Sequence, residues 1–307
     1  MKDLKGKDIL SAFDFDRETL EHLFTEADEL RKKLSEGKIK LADGKIMATV
    51  FLEPSTRTKI SFQMAMVKLG GSIIDFQPES SSLQKGESDL DTIKIIDGYS
   101  PDLIVLRQSK PYFPHSIKDK IETPIINGGD GTNEHPTQAL LDLYTIWREL
   151  GRIDGLKIGI MGDLKYGRTA PSLSYMLTFF KGVKVYYISP KELRLRDEVK
   201  NKINGKIIYE EMERLEEIKD ELDVLYVTRL QKERFSDPTE YERLKSSYIV
   251  TQDSLKKLKK IPIIMHPLPR VWELPEEIDS LPQAKYFEQA KNGMFVRAAL
   301  IKEILGL

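Results

Sequence analysis

The chain contains no cysteine, so disulfides, thiolate nucleophiles and zinc–thiolate sites are excluded. Histidine is scarce, four scattered copies in 307 residues, which argues against a His-rich metal centre. No run of about 18 apolar residues is present to cross a membrane, and the opening "MKDLKGKDILSAF" lacks the apolar core of an export signal. A cytoplasmic location is therefore expected. Charge of neither sign accumulates: the formal net charge is -1 and no long basic run occurs, so neither nucleic acid nor a membrane is expected as a partner. Internal repeats and low-complexity tracts are also missing. What is left is 40% hydrophobic and 32% charged residues, over a length that accommodates two domains with separate cores.

Hydrophobic patterning then sets the fold class. Asp16 is placed to cap a helix through "RETLEHLFTEADELRKKLSEG", with Gly37 as its stop. "IMATVF" (Ile46 to Phe51) reads as a strand, and a helix follows that Gly70 and Gly71 close. "GGSIIDFQ" is a short strand; "PESSSLQKGESDLDTIKIIDGY" begins as a polar loop and becomes a helix near Ser88. "PDLIVLRQ" is a strand ending at Arg107, and "TPIINGG" another, followed by a glycine-rich loop and a helix over about Pro136 to Leu150. After Gly151 the alternation restarts: "GLKIGIMGD", "VKVYYISP", "LDVLYVTRLQ" and "IPIIMHPLPR" read as strands separated by helical segments, the later ones charged, and "FVRAALIKEILGL" as a final amphipathic helix. The class is α/β, with two domains, each a mainly parallel sheet flanked by helices. The break at Gly151 to Gly155 sets the boundary: a first domain over residues 1–134, an interdomain helix over 135–150 and a second domain over 151–287.

In parallel α/β sheets, ligands bind beyond the carboxyl ends of the strands. Those positions hold Ser55-Thr56-Arg57-Thr58, then Arg107, His135 to Gln138, Asp163 to Arg168, Thr228 to Gln231 and His266 to Arg270. Arg57, Arg107, Arg168 and Arg229 thus recur at equivalent places, which is expected to build a strongly positive cleft. The first of them is out of place by local rules. A helix N-terminus carries partial positive charge and bare N–H groups, so acidic residues belong in its first turn. Here stand Arg57 and Lys59. Ser55 and Thr56 can cap the N–H groups, but the two cations still oppose the dipole at roughly 0.3–1 kcal/mol each when exposed. A phosphate seated on that helix end, held by N–H groups, hydroxyls and Arg57, turns the conflict into a gain. The glycines and Gly-Lys of a Walker A loop are missing.

Arg168 repeats the arrangement after Gly167, while Gly159, Gly162 and Gly167 do not match G-x-G-x-x-G, so a nicotinamide cofactor is not expected. Two anion sites point to a substrate pair, one a phosphate and the other carrying carboxylates. His135 precedes Pro136, whose fixed φ suits the first helical position, with Gln138 one turn inside. A structural and a catalytic role for His135 both remain open on position alone. In "HPLPR", Pro267 and Pro269 lack N–H groups, so the segment offers chiefly carbonyl acceptors, suited to a ligand amide or to a rigid turn.

Taken together, "STRT" at Ser55, "HPTQALLDLYT" at His135 and "HPLPR" at His266 occur in the order and spacing of the aspartate and ornithine carbamoyltransferases, which the chain resembles over nearly its whole length. The resemblance implies a carbamoyl phosphate domain and an amino-acid domain, with the C-terminal helix, about 288–307, packing back onto the first. It implies carbamoyl phosphate held by Ser55, Thr56, Arg57, Thr58, Arg107, His135 and Gln138. The Leu268 and Pro269 carbonyls would receive its amino group, across a cis Leu268–Pro269 peptide.

The ornithine-accepting members carry an Asp-x-Trp-x-Ser-Met-Gly segment and a His-Cys-Leu-Pro turn. This chain has "VTRLQKERF" and "HPLP" instead, which resembles the aspartate-accepting members, with Arg168, Arg229 and Gln231 on the aspartate carboxylates. A dicarboxylate suits guanidinium forks, whereas ornithine's cationic side chain is repelled by them; ornithine or another amino acid is the alternative acceptor. "SSSLQKGES" resembles the family's loop that enters a neighbouring subunit's site. That implies at least a homotrimer in which Lys85 and either Ser81 or Ser82 are shared, and leaves room for regulatory chains in a larger assembly. The implied chemistry is attack of the aspartate α-amine on the carbamoyl carbon without metal or cofactor, an early step of pyrimidine biosynthesis, with domain closure as the gate. A catalytically silent scaffold would be expected to lack some of these residues, and none is missing. "KPYFPHS" (Lys110 to Ser116) reads as an exposed aromatic loop or a partner-facing stretch.

Overall fold

The computed structural model describes residues 1–37, 39–230, 237–245 and 248–307. The chain divides into two compact units, Met1–Leu141 with Lys291–Leu307, and Asp142–Ala290. Among the described residues no helix is long and apolar enough to cross a membrane.

The first unit opens with α1 (Arg17–Ser35), where the Asp16 carboxylate accepts the Thr19 N–H at 2.8 Å and so satisfies one bare donor of the first turn. Leu20, Leu23, Phe24, Ala27, Leu30 and Leu34 recur at helical spacing and are all buried. There follow β1 (Ile46–Phe51), α2 (Thr56–Leu69), β2 (Ser72–Asp75), α3 (Asp89–Gly98), β3 (Leu103–Gln108), the short α4 (Phe113–Ile117), β4 (Ile125–Asp130) and α5 (Pro136–Leu150). Gly70 ends α2 in the left-handed region at φ 94°, and a Cβ there would stand 2.4 Å from the Ile39 carbonyl oxygen. No other residue fits that position.

All strand pairs are parallel, in the order β2-β1-β3-β4. The chain leaves β1 for β2 on one side and returns to β3 on the other, so winding reverses between β1 and β3. Such a switch point opens a crevice at the carboxyl ends.

The second unit repeats the plan with β5 (Lys157–Met161), α6 (Thr169–Leu177), β6 (Lys184–Ile188), α7 (Asp197–Ile203), β7 (Ile208–Met212), β8 (Val224–Val227), α8 (Pro238–Lys245), α9 (Gln252–Lys256) and β9 (Ile263–Met265). Its sheet, again parallel, has the order β7-β6-β5-β8-β9, with a switch point between β5 and β8. Ile188, Leu225, Val227, Ile264 and Tyr286 lie in its core. The last helix, α10 (Tyr286–Leu305), begins in this unit and ends in the first, and the other unit boundary falls inside α5.

Two readings of the sequence need correction here. Ile208–Met212 is not part of a charged helical segment but an edge strand. Its carboxylates are paired from neighbouring elements, Glu210 with Lys184 at 2.8 Å and Glu211 with Lys200 at 2.9 Å, so a charged string can lie in a sheet. The "KPYFPHS" stretch is half core: Phe113 and Pro114 are buried within α4, while Lys110, Pro111, Tyr112 (at φ 61°) and Ser116 are exposed.

Candidate active site

In the first unit Ser55–Thr58, the N-cap and first turn of α2, follows β1, Arg107 lies one residue from the end of β3, and His135 follows β4. These three strands are adjacent, and the first two flank the switch point. Ser55 is the N-cap of α2, in extended conformation at φ -160°, yet its side chain makes no capping hydrogen bond. Capping by Ser55, the local explanation, is therefore not used, and a cap of this kind is worth about 1 kcal/mol. The first-turn N–H groups are left for another acceptor.

Lys59 and Arg57 turn out to differ. Lys59 has a local partner, the Asp75 carboxylate at 2.7 Å, which the Thr49 hydroxyl also supports at 2.9 Å. Arg57 is exposed and makes no hydrogen bond or ion pair with any described residue. Only Arg57 therefore carries the conflict with the helix dipole that the sequence assigned to both.

Thr58, by contrast, is buried and shares a 3.3 Å hydrogen bond with Nε2 of the buried His135. This joins the N-terminal turns of α2 and α5. Arg297 on α10 braces the same pair of helices: its guanidinium donates to Ser61 Oγ at 2.5 Å and Thr137 Oγ1 at 3.2 Å and lies over the Phe62 ring. Gln138 is buried one turn into α5.

Arg107 pairs in register with Phe51, while its strand shifts register against β4 between Leu106 and Gln108. Such an irregularity re-aims a side chain at a strand end. Its guanidinium donates to the Gly128 carbonyl at 3.3 Å and faces Glu53 at 3.4 Å. Glu53 was not singled out from the sequence; its place two residues before Ser55 was the available signal. A 3.4 Å contact is long for a charge-assisted bond, so an incoming anion competes for Arg107 on favourable terms.

In the second unit Arg168 follows β5 as the N-cap of α6, Arg229 follows β8, and the His266–Arg270 turn follows β9; these strands too are adjacent. Gly162, at φ 123°, lets the two arginine loops meet: a Cβ there would stand 2.2 Å from the Thr228 carbonyl oxygen. Both arginines are half-buried. Gln231 lies outside the described residues. Leu230 packs with Leu193 and Tyr241, and Trp272 donates to the Tyr241 hydroxyl at 2.8 Å, giving the Arg229 loop a firm base.

The Leu268–Pro269 peptide is cis, and Leu268 sits at φ 55°. His266 holds the turn: its Nδ1 accepts the Leu268 N–H at 2.7 Å and its Nε2 meets the buried Glu273 carboxylate at 2.9 Å. Since Nδ1 must offer a lone pair, the ring proton sits on Nε2 and points at Glu273. Arg270 is committed elsewhere, paired with Asp279 and stacked over Tyr286 and Phe287.

Lys85 ends the short 3₁₀ turn Ser82–Lys85 in the loop before α3. It is exposed and has no partner among the described residues. Both candidate serines are occupied locally, Ser81 with the Pro78 carbonyl at 2.8 Å and Ser82 with Glu87.

Comparison with known proteins fits this geometry. The aspartate/ornithine carbamoyltransferase carbamoyl-P binding domain matches residues 7–148, and the Asp/Orn binding domain of the same family matches residues 154–304. The aspartate carbamoyltransferase catalytic subunit of Staphylothermus marinus is 52% identical over 303 residues, covering 98% of this chain and 97% of that one. The catalytic subunit of Methanocaldococcus jannaschii aspartate transcarbamoylase superposes with a TM-score of 0.90 at 49% identity, covering 98% of each chain. Trypanosoma cruzi aspartate transcarbamoylase in complex with carbamoyl phosphate and aspartate gives a TM-score of 0.94 at 38% identity, again over 98% of each chain.

Proposed function

The chain belongs to the aspartate/ornithine carbamoyltransferase family, and from that premise we propose what each site residue does. The protein transfers the carbamoyl group of carbamoyl phosphate to the α-amine of L-aspartate, giving N-carbamoyl-L-aspartate and phosphate, a product that enters pyrimidine biosynthesis. The observation that supports this most is Arg57, a guanidinium with no partner among the described residues, at an uncapped helix end beside a switch point. Such an end is an anion site in every physical respect.

The phosphate sits on the N-terminus of α2, with the N–H groups, the Ser55 and Thr56 hydroxyls, Arg57 and Arg107 around it. Thr58, Arg107 and His135 face the carbamoyl oxygen; Gln138 and the Leu268 and Pro269 carbonyls take the amino group. Arg168, Arg229 and Gln231 hold the two carboxylates of aspartate. Its α-amine lone pair attacks the carbamoyl carbon, the carbonyl electrons move onto oxygen, and the tetrahedral adduct collapses by breaking the carbon–oxygen bond to phosphate. The amine proton leaves on the departing phosphate, the nearest basic group. Thr58 and His135 stabilise the developing oxyanion, and stabilisation of that kind usually lowers the barrier of such a reaction more than any other effect. Two anions repel in solution, so holding them together contributes much of the remainder.

Lys85 serves the site of a neighbouring copy in a homotrimer. Two observations support this reading. Lys85 stands exposed without a partner among the described residues of its own chain. The outer face of α2 carries Ile60, Met64 and Val67 at helical spacing, 53%, 44% and 42% exposed, beside a pocket of about 390 Å³ that Ser55, Thr56 and Lys59 also line. An apolar stripe of this kind marks a surface that is covered in the assembly.

The test is phosphate release from carbamoyl phosphate with aspartate, with ornithine and with no acceptor. Release that requires aspartate is the expected result. Release with ornithine alone would overturn the roles given to Arg168 and Arg229.

A further inference from the structure

His135 bears on the reacting carbonyl, so what fixes its place is part of the catalytic design. Between the end of β4 and the start of α5 lie only five residues, Gly131 to His135. Two carboxylates sealed from solvent, Asp130 and Glu134, bracket this turn. Burying a carboxylate is unfavourable unless its oxygens are well hydrogen-bonded, and both side chains are.

Asp130 Oδ1 accepts from Asn127 Nδ2 and the Glu134 N–H, both at 3.0 Å; Oδ2 accepts from the Tyr112 N–H at 2.8 Å and Asn133 Nδ2 at 2.9 Å. All four donors are uncharged. The Asp130 N–H in turn donates to the Glu134 carbonyl at 3.1 Å. That oxygen belongs to the peptide joining Glu134 to His135, so the plane entering the His135 Cα is held.

The Glu134 carboxylate reaches the other way, accepting from Ser11 Oγ at 2.7 Å and the Ala12 N–H at 2.8 Å. The Ser11 segment is itself tied to β4, because Asn127 donates its N–H to the Ile9 carbonyl at 2.8 Å and its Nδ2 to the Leu10 carbonyl at 3.0 Å. The bonds form a closed ring through Asp130, Asn127, residues 9–12 and Glu134, with His135 the next residue outward. A ring satisfied at every member admits one arrangement.

We propose that Asp130 and Glu134 are the positioning residues of His135, a role that rests on the reading of His135 as a ligand of the carbamoyl oxygen. Supporting groups of this kind decide whether a site is held to within a fraction of an ångström. The reach from Nε2 to Thr58 Oγ1 is already 3.3 Å, so a small drift of the ring breaks it.

The experiment compares Glu134→Ala with Glu134→Gln in the full-length assembled protein. Alanine removes both acceptors, whereas glutamine can still accept the Ala12 N–H with Oε1 and donate to Ser11 Oγ with Nε2. Two quantities are read: kcat at saturating carbamoyl phosphate and aspartate, and the imidazole ¹⁵N shifts. The chain has four histidines, so the His135 signal is assigned by its loss in His135→Ala. Expected is a kcat drop of about 10- to 100-fold for Glu134→Ala, since a misplacement of about 1 Å has effects of that size, together with a moved His135 resonance. Glu134→Gln should restore both. A Glu134→Ala protein with a lower unfolding temperature but unchanged kcat and unchanged His135 shifts would make the ring merely structural. Equal losses in both variants would also defeat the proposal, because charge and not geometry would then be at work. Asp130→Asn, which turns an amide donor toward donors, should behave as Glu134→Ala does; if it does not fold, the Glu134 pair decides. Absence of aspartate-dependent phosphate release in the unmodified protein would refute the functional reading instead, while the shift comparison still reports on the ring.

Discussion

Replacing Arg57 by alanine should separate function from stability more sharply than any other change in this chain. The guanidinium makes no hydrogen bond or ion pair with a described residue, so its removal breaks no contact among them. It relieves a cation at the positive end of α2, where no first-turn acid offsets it. That conflict is worth roughly 0.3–1 kcal/mol for an exposed group, and alanine is the best helix former. Unfolding free energy should therefore stay level or rise by up to about 1 kcal/mol.

Turnover should move the other way. Arg57 offers charge-assisted donors to a phosphate whose charge grows as it departs, and losing a donor aimed at developing charge typically costs about 2.7–4 kcal/mol, or ~10²–10³ in kcat. The assay is continuous phosphate release at saturating substrates, paired with urea unfolding at matched chain concentration, because an assembly's stability depends on concentration. Phosphate binding adds an internal control: at about 100 times its Kd it should stabilise the unmodified protein by ~2.7 kcal/mol and Arg57→Ala far less. A variant with kcat within about threefold of the parent would remove the anion-site argument, since a group contributing so little is not the transition-state anchor. A stability loss above about 1 kcal/mol would show that Arg57 has a structural partner after all.

Arg229→Ala should chiefly raise the aspartate KM, with carbamoyl phosphate binding by calorimetry unchanged; an effect confined to carbamoyl phosphate would reverse the assignment of ligands to units. Mixed trimers reassembled from inactive Lys85→Ala and inactive Arg57→Ala chains should regain activity through hybrid sites, and persistent inactivity would refute the sharing of Lys85. Far from the site, hydrogen bonds from Tyr186 and Lys184 hold the Asp220 carboxyl at about 2, below its ordinary 3.8. A depressed folded-state value means its stabilising contribution is whole above about pH 4 and is lost as pH falls through about 2. Asp220→Asn should therefore flatten that part of the acid-unfolding curve, and an unchanged curve between about pH 4 and pH 2 would exclude the linkage.

How far the chain could be read in advance follows from which interactions are local. The Asp16 cap, the β1 and α5 limits and the positions of Arg57, Arg107, Arg168 and Arg229 at strand ends were legible, because period, capping and topology are written in neighbouring residues. Ile208–Met212 was not, since its carboxylates are neutralised by Lys184 and Lys200 from other elements. The same limit governs the site. Lys59 looked like a second free cation because Asp75, 16 positions on, cannot be paired with it until β2 is laid beside β1. Glu53 facing Arg107, Arg297 bridging Ser61 and Thr137, and Asp130 and Glu134 behind His135 are likewise contacts of tertiary structure.

Arg57, proposed to bind the phosphate, was thus visible as a violation of a local rule, while the residues proposed to hold the site were invisible because each obeys rules only its distant partners supply. Of the two cations in the first turns of α2, Lys59 is paired with Asp75 and Arg57 has no partner among the described residues. A chain gains nothing by leaving a guanidinium unpaired on a positive helix end unless an anion arrives to meet it.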